Sequence, residues 1–312
     1  GGVNCSDPLF PSVGFRGIHA ISPTGKCRPF SREADGILPG QGAAVVALRR
    51  LSDASSRGDR ILGVIRGIGL SNDGRSGGFF APSVRHQIRC MREAYAHAGI
   101  EPEEISYLEC HATGTRVGDS AEIAAVREVF GGAQKLTAGA LKANIGHLVT
   151  ASGAAALVRV LGSFREQALP PTPGAYPLMD ELDDGRIRIL SNREPWDGVA
   201  HRRAAINGFG FGGNNAHLVV EEWRADQTMV AVGTTFPTTE FVVVGLEIRT
   251  DRHASAEEFA EHLLRGMEPC RPVQDSVSFG ADEMLVPPRD MQKAHGRQLL
   301  FLRTAIDALG TL

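Results

Sequence analysis

Two histidines, His111 and His147, carry the side chains of this chain best placed for electrostatic or acid–base chemistry. Residues 109–115 read ECHATGT and residues 142–148 read KANIGHL. A third element, residues 207–217, reads NGFGFGGNNAH. His111 follows a short apolar run, Ile105 to Cys110, that reads as a strand. Open α/β sheets bind ligands at the C-terminal ends of their strands. Thr113 and Thr115 alternate around Gly114, so their hydroxyls can point the same way. His147 is expected in the first turn of a small-residue helix from about Gly146 to Gln167. The positive end of such a helix disfavours the imidazolium, so the ring stays neutral. A neutral imidazole can donate one N–H to a substrate oxygen without first losing a proton. Lys142 is expected beside it at a strand end. Each residue alone also has a plainer reading: a satisfied buried histidine, a solvated lysine.

Gly208, Gly210, Gly212 and Gly213 interleave with Phe209 and Phe211. No GK[ST] follows a strand here, which argues against a nucleotide cradle. The glycines fit a backbone that flexes or approaches a ligand closely, with the phenylalanines as adjustable walls.

The elements that position these residues alternate between apolar β-rich runs and amphipathic helical spacing. Strands are expected over Gly42 to Leu51, Arg60 to Leu70 and Leu136 to Ala143. Ser83 reads as the N-cap of a helix ending near Gly99. Asp119 reads as the cap of a helix that runs to Phe130 and stops at Gly131-Gly132. Pro170-Pro171 ends the helix that begins near His147. Ala204 to Val220 reads as glycine-interrupted strand and loop. Three units follow: residues 1–223, a linker over 224–239, and 240–312. The last holds a strand at Phe241 to Leu246, a helix from Ser255 and another around Gln298 to Leu309. It has too few elements to close a core alone.

Bulk composition narrows the partners. Acidic residues number 36 and basic ones 33, a formal charge of −3. With no basic run, nucleic acid is not expected as a partner. A surface near neutrality is compatible with self-association. The 5 cysteines include no CxxC pair, so neither a disulfide framework nor a metal site is expected, and a reducing cytoplasm is the default. No apolar run reaches the ~18 residues of a membrane span. The start, Gly1-Gly2-Val3-Asn4, reads as an interior stretch of a longer polypeptide.

The three elements in this order resemble the C-terminal half of a β-ketoacyl synthase, over about residues 1 to 222. GGVN at Gly1, Ile21 to Phe30, Ala34-Asp35-Gly36, Pro39 to Gly42 and Ser71 to Gly74 are similar to landmarks of the same family. The resemblance implies an α/β, thiolase-like αβαβα layered fold, incomplete here. It implies that His111 and His147 are the two catalytic histidines and Lys142 the active-site lysine, with Glu122 neutralising it. Thr113 and Thr115 resemble the pair that hydrogen-bonds a phosphopantetheine arm. Phe209 resembles the gatekeeper of the acyl pocket, with Phe211 beside it. The implied reaction is decarboxylative Claisen condensation of acyl and malonyl groups on acyl carrier protein, in fatty-acid or polyketide synthesis. The implied enzyme is an acyltransferase with no bound cofactor, dimeric when intact. No cysteine here occupies the TACSS-like nucleophile element of that family, so the isolated chain is expected to be inactive.

Ala112 stands where the family has glycine, Asn214 where it has threonine, and Gln41 where it has glutamate. Cys5 and Cys110 do not replace the nucleophile; Cys110 reads as core. The tail is similar to the start of a second condensing domain: Phe241 to Gly245, Ala256 to Phe259, Leu263 to Gly266, Val286 to Arg289 and Arg297 to Leu300. Its altered Gly245-Leu246-Glu247-Ile248-Arg249-Thr250 resembles a chain-length factor. The alternative function is therefore a non-catalytic chain-length factor or dimerisation partner. A degradative thiolase fits the HATGT and GFGFGG elements less well.

Overall fold

The computed structural model describes residues 1–5, 9–74, 81–131, 135–224, 241–250, 255–266 and 296–310. Its strands are β1 (Gly2–Asn4), β2 (Gly42–Arg50), β3 (Gly63–Asn72), β4 (Tyr107–Glu109), β5 (Leu136–Gly139), β6 (Ala168–Leu169), β7 (Ile187–Ile189), β8 (Glu194–Pro195), β9 (Arg203–Phe209), β10 (Asn214–Glu221) and β11 (Phe241–Thr250). Its helices are α1 (Leu9–Gly17), α2 (Leu51–Arg57), α3 (Val84–Ala98), α4 (Arg116–Phe130), α5 (Lys142–Ile145), α6 (Ser152–Glu166), α7 (Ala256–Leu264) and α8 (Gly296–Gly310).

Nine strands form one mixed sheet in the order β1-β2-β11-β3-β10-β9-β4-β5-β7. The strands β9, β4, β5 and β7 run parallel; pairing from β9 towards β1 is antiparallel throughout. The parallel strands are short and mostly buried, as strands covered on both faces are. Alternation assigns the faces. Leu108, Ala205 and Val219 join the core under α3 and α4. Their neighbours Tyr107, Ala204 and Val220 join the core under α6. The sheet is thus one layer of three.

Local chemistry sets the ends. Ser83 precedes α3, and Gly99 closes it in the left-handed region at φ 60°. The Ser83 hydroxyl pairs with His86 Nδ1 at 2.8 Å instead of capping the helix backbone. Gly67 and Gly69 in β3 lie under α3: a Cβ at Gly69 would stand 1.9 Å from the Cys90 carbonyl oxygen. These two glycines therefore set how closely helix and strand approach.

Four sequence expectations need correction. Leu51 begins α2 rather than ending β2. The strand at Leu136 stops at Gly139, and Lys142 opens the short α5. The helix expected from Gly146 begins only at Ser152, after a 3-10 turn over Val149–Ala151. Asp119 lies within α4, whose N-cap residue is Thr115. The positive φ of Gly146 (73°) and Val149 (45°) breaks the helix that composition alone predicts. Gly132, nearly all of the expected linker over 224–239 and the motif from Val286 to Arg289 lie outside the described residues.

Beyond the linker, β11 does not start a sheet of its own. It enters the first sheet, pairing with β2 along its length and with β3 at Phe241 to Val243. Ile248, Phe259 and Leu263 then share a buried cluster with Leu141, Leu148 and Val158.

Candidate active site

The β4 strand ends at Glu109 and releases Cys110 and His111 at its C-terminal edge. Glu122, two turns into α4, turns its carboxylate back onto this loop. One oxygen accepts the His111 N–H at 2.8 Å and the Asn207 side-chain N–H at 2.8 Å. The other accepts the Ala112 N–H at 2.7 Å. Asp119, one turn earlier, accepts N–H groups from Thr113 (3.0 Å), Gly114 (3.3 Å) and Phe30 (3.0 Å). Two buried carboxylates on one helix face thus hold the loop by its backbone donors. Burial pushes the Asp119 carboxyl up to about 7, and burial also raises that of Glu122. Gly114 sits at φ 80°, where a side chain is strained, and a Cβ there would crowd Arg28 N and the Gly36 carbonyl oxygen at 3.1 Å. Around it the Thr113 and Thr115 hydroxyls lie 3.2 Å apart, as their alternation predicts.

The loop after α5 brings His147 to the same place. Its backbone N–H donates to the Leu38 carbonyl at 2.7 Å. The His111 and His147 rings lie 5.5 Å apart, nearly perpendicular at 85°. Phe209 stands 6.2 Å from the His111 ring. All three line a cavity of about 340 Å³, together with Thr113, Thr115 and Phe211. Phe209 is buried at the end of β9, whereas Phe211 is 44% exposed on the loop and meets Phe15 at 5.7 Å.

Both imidazoles are neutral, for a reason the sequence did not supply. His147 is not at a helix N-terminus. Burial first, then the Lys142 ammonium, pushes it down to about 3. Burial, then Lys142 and His147, holds His111 well below the ordinary range. The Val149 backbone N–H reaches His147 Nδ1 at 3.2 Å. A backbone N–H can only donate, so Nδ1 accepts and the ring proton sits on Nε2.

Lys142 is 6% exposed. Burial lowers its pKa; Glu109 and Glu122 act against that shift. Glu122 is therefore an electrostatic neighbour of Lys142, as expected, but its hydrogen bonds go to the loop backbone and Asn207. No ion pair to Lys142 forms among the described residues. Glu109 was not singled out in the sequence. It is 1% exposed, meets Arg159 at 3.3 Å, and accepts from the Tyr107 hydroxyl (2.8 Å) and the Leu141 N–H (2.6 Å). It ties β4 to the start of α5 behind the cavity.

Asn207 and His217 bound the third sequence element but carry no expected role. They face each other across the β9–β10 hairpin, and His217 Nδ1 lies 2.6 Å from Asn207 Oδ1. A hydrogen-bonded path thus runs from His217 through Asn207 and Glu122 to the His111 backbone. The signal was available: ten residues apart around a four-residue glycine loop is hairpin spacing. Gly213 closes that loop at φ 78°, where a Cβ would stand 2.6 Å from the Asp73 Cβ.

Burial keeps the buried thiols protonated. Burial raises Cys27 and Cys90 to about 12 and Cys110 well above the ordinary thiol range. Among the described residues no group of three or more His, Cys, Asp and Glu side chains could hold a metal, and no helix is long and apolar enough to cross a membrane.

Three family models match in succession: the β-ketoacyl synthase N-terminal domain over residues 1–54, its C-terminal domain over 62–175, and the ketoacyl-synthetase C-terminal extension over 176–264. A phenolphthiocerol/phthiocerol polyketide synthase of Mycobacterium tuberculosis is 37% identical over 76% of this chain, and a non-reducing polyketide synthase of Emericella nidulans is 34% identical over 99%. The chain spans 13% of the length of each. The ketosynthase from module 6 of the bacillaene synthase of Bacillus subtilis superposes with a TM-score of 0.67 at 33% identity, over 71% of this chain and 42% of that one. The ishigamide ketosynthase/chain length factor gives 0.65 at 28% identity, over 72% and 53%. With the thiolase-like fold, the paired histidines and these matches together, the chain belongs to the β-ketoacyl synthase family.

Proposed function

We propose that this chain supplies the enolate-binding half of a decarboxylative condensing site, and that His111 and His147 are its working residues. The observation that carries the reading is the pair of neutral imidazoles, 5.5 Å apart, on one cavity. In the reaction a malonyl thioester loses carbon dioxide. The electrons of the broken C–C bond move into an enolate, and negative charge gathers on the thioester oxygen. N–H donors fixed in advance stabilise that charge in a site that excludes water. The enolate carbon then attacks an acyl thioester held on a cysteine, and the thiolate leaves. Lys142 lowers the proton affinity of both rings and adds positive potential. Glu122 positions the loop that bears His111.

Substrates ride on the phosphopantetheine of an acyl carrier protein, with no resident cofactor. The Thr113 and Thr115 hydroxyls hydrogen-bond the arm, and Phe209 and Phe211 bound the acyl channel. The cysteine that carries the acyl group comes from the remainder of the ketosynthase, which makes this chain one part of a cytoplasmic, dimeric acyltransferase. Residues 240–312 belong to the start of a second ketosynthase-like unit.

A second reading, a non-catalytic chain-length factor or dimerisation partner, draws on the thiols: Cys27, Cys90 and Cys110 are all held protonated. Two imidazoles kept neutral on an open cavity have no task in such a protein, and that favours the enzyme. The test is carbon dioxide release from a malonyl-pantetheine thioester. Slow release that His111→Ala and His147→Ala each lower about a hundredfold or more, the loss of one strong donor, is the expected result. Variants equal to the parent chain would overturn the reading.

A further inference from the structure

The break before α6 places one more side chain on His147. Val149 takes φ 45°, a left-handed conformation that a β-branched residue rarely adopts. Its side chain does not explain this, being 37% exposed. Its backbone does: the turn aims the Val149 N–H at His147 Nδ1. The Ser152 hydroxyl oxygen lies 2.9 Å from the same nitrogen. Because Nδ1 already accepts the Val149 N–H, it carries no proton, so the hydroxyl must be the donor. Ser152 opens α6, where serine hydroxyls commonly turn to the helix's own N–H groups. Here no side chain caps the helix, and the hydroxyl goes to the ring instead.

We propose that Ser152 is a positioning residue: its hydroxyl holds His147 in the Nε2–H tautomer and fixes the ring's orientation at the cavity. The polarity is the reverse of a histidine whose Nδ1–H is accepted by a carboxylate. That partner makes the ring a better base. Two donors on Nδ1 make it a worse base and leave Nε2–H to donate. Of the charged and titratable groups beside the ring, Lys142 opposes a second proton, and the His111 ring stands 5.5 Å away. The inference rests on the reading of His147 as a donor to the substrate oxygen, but its test does not.

The experiment is 15N-histidine NMR on the full chain, in the parent and in Ser152→Ala and Ser152→Thr. In the parent, His147 shows an unprotonated, hydrogen-bonded Nδ1 and a protonated Nε2 near neutral pH. Ser152→Ala moves the Nδ1 resonance towards that of a nitrogen lacking a donor and raises the proton affinity of the ring roughly fivefold, the equivalent of one hydrogen bond. Ser152→Thr, which keeps a hydroxyl, restores both. A helix-start role alone would change stability and leave the ring resonances in place. A protonated Nδ1 in the parent, or an unchanged Nδ1 resonance and proton affinity in Ser152→Ala, overturns the proposal. If the parent releases no carbon dioxide from malonyl-pantetheine while the ring responds as described, the proposed function fails and the Ser152 inference stands.

Discussion

Buried titratable groups around the cavity pull stability in opposite directions as pH falls, and counting protons decides which wins. His147 and His217 are each pushed to about 3, and His111 lies well below the ordinary range. They stay neutral in the fold, whereas in the unfolded chain each takes a proton near pH ~6.5. Stability is therefore lost as pH drops below that value. Asp119, at about 7, and Glu122, also raised, hold protons in the fold that the unfolded chain releases above pH ~4. Their contribution is present at low pH and lost as pH rises towards 7. At pH 5 unfolding takes up about three protons at the histidines and gives back at most about two at the carboxyls. The histidines win. Between pH ~6.5 and ~5 the slope approaches about 1.4 kcal/mol per pH unit for each net proton. Urea unfolding at several pH values measures it, and a flat or rising stability on acidification would refute the count. At this scale the motifs located residues that the fold brings together: His111, His147, Thr113 and Thr115 line one cavity, and Lys142 lies close enough to act on both rings. The sequence was silent on Asn207 and Glu109 and took Asp119 for a helix cap, because their partners come from other segments. It also pointed to the wrong cause for the neutrality of His147, because burial is a property of the folded site.

At the scale of elements, β11 is the least expected feature. The sequence read a strand here in a unit with too few elements to close a core alone, and the first unit provides its neighbours. Periodicity cannot name a pairing partner, since register depends on contacts between distant segments. The same gap hid the α6 break: Ala and Gly content argued for a continuous helix, and the turn geometry at Gly146 to Val149 overrode it. In the sheet order, β1 and β2 reach β3 only through β11. Removing residues after 224 therefore separates that pair from the main sheet and opens an edge on both sides. Hydrogen exchange is expected to show lost protection in β2 and at Gly63 to Ile65 of β3, while β4, β5 and β9 stay protected. Conversely, residues 240–312 alone are expected to show no cooperative unfolding. Unchanged protection in β2 after truncation would show that packing on α6, and not β11, holds it.

On the proposed function, the whole molecule presents half of a chemistry. Its fold places two neutral imidazoles on one cavity, and it covers 42% of the bacillaene ketosynthase and 53% of the ishigamide ketosynthase/chain length factor. Condensation needs an acyl group on a nucleophile while the enolate forms. A thiol serves only as thiolate, and burial suppresses that form at Cys27, Cys90 and Cys110. At neutral pH a thiol whose pKa is about 12 is ionised roughly once in 10⁵ molecules. Burial also denies it the approach of a thioester carbonyl, since Cys27 is 6% exposed and Cys110 1%. Acyl transfer to these sites is therefore blocked twice, by protonation and by access. Offered an isotopically labelled acyl-pantetheine thioester near neutral pH, the folded chain is expected to leave Cys27, Cys90 and Cys110 unacylated. With malonyl thioester added, it is expected to form no β-ketoacyl product. Peptide mass spectrometry and product analysis read the two outcomes separately. Acylation at Cys27 or Cys110 would show that the interior opens to substrate. A β-ketoacyl product would show that the chain carries its own nucleophile.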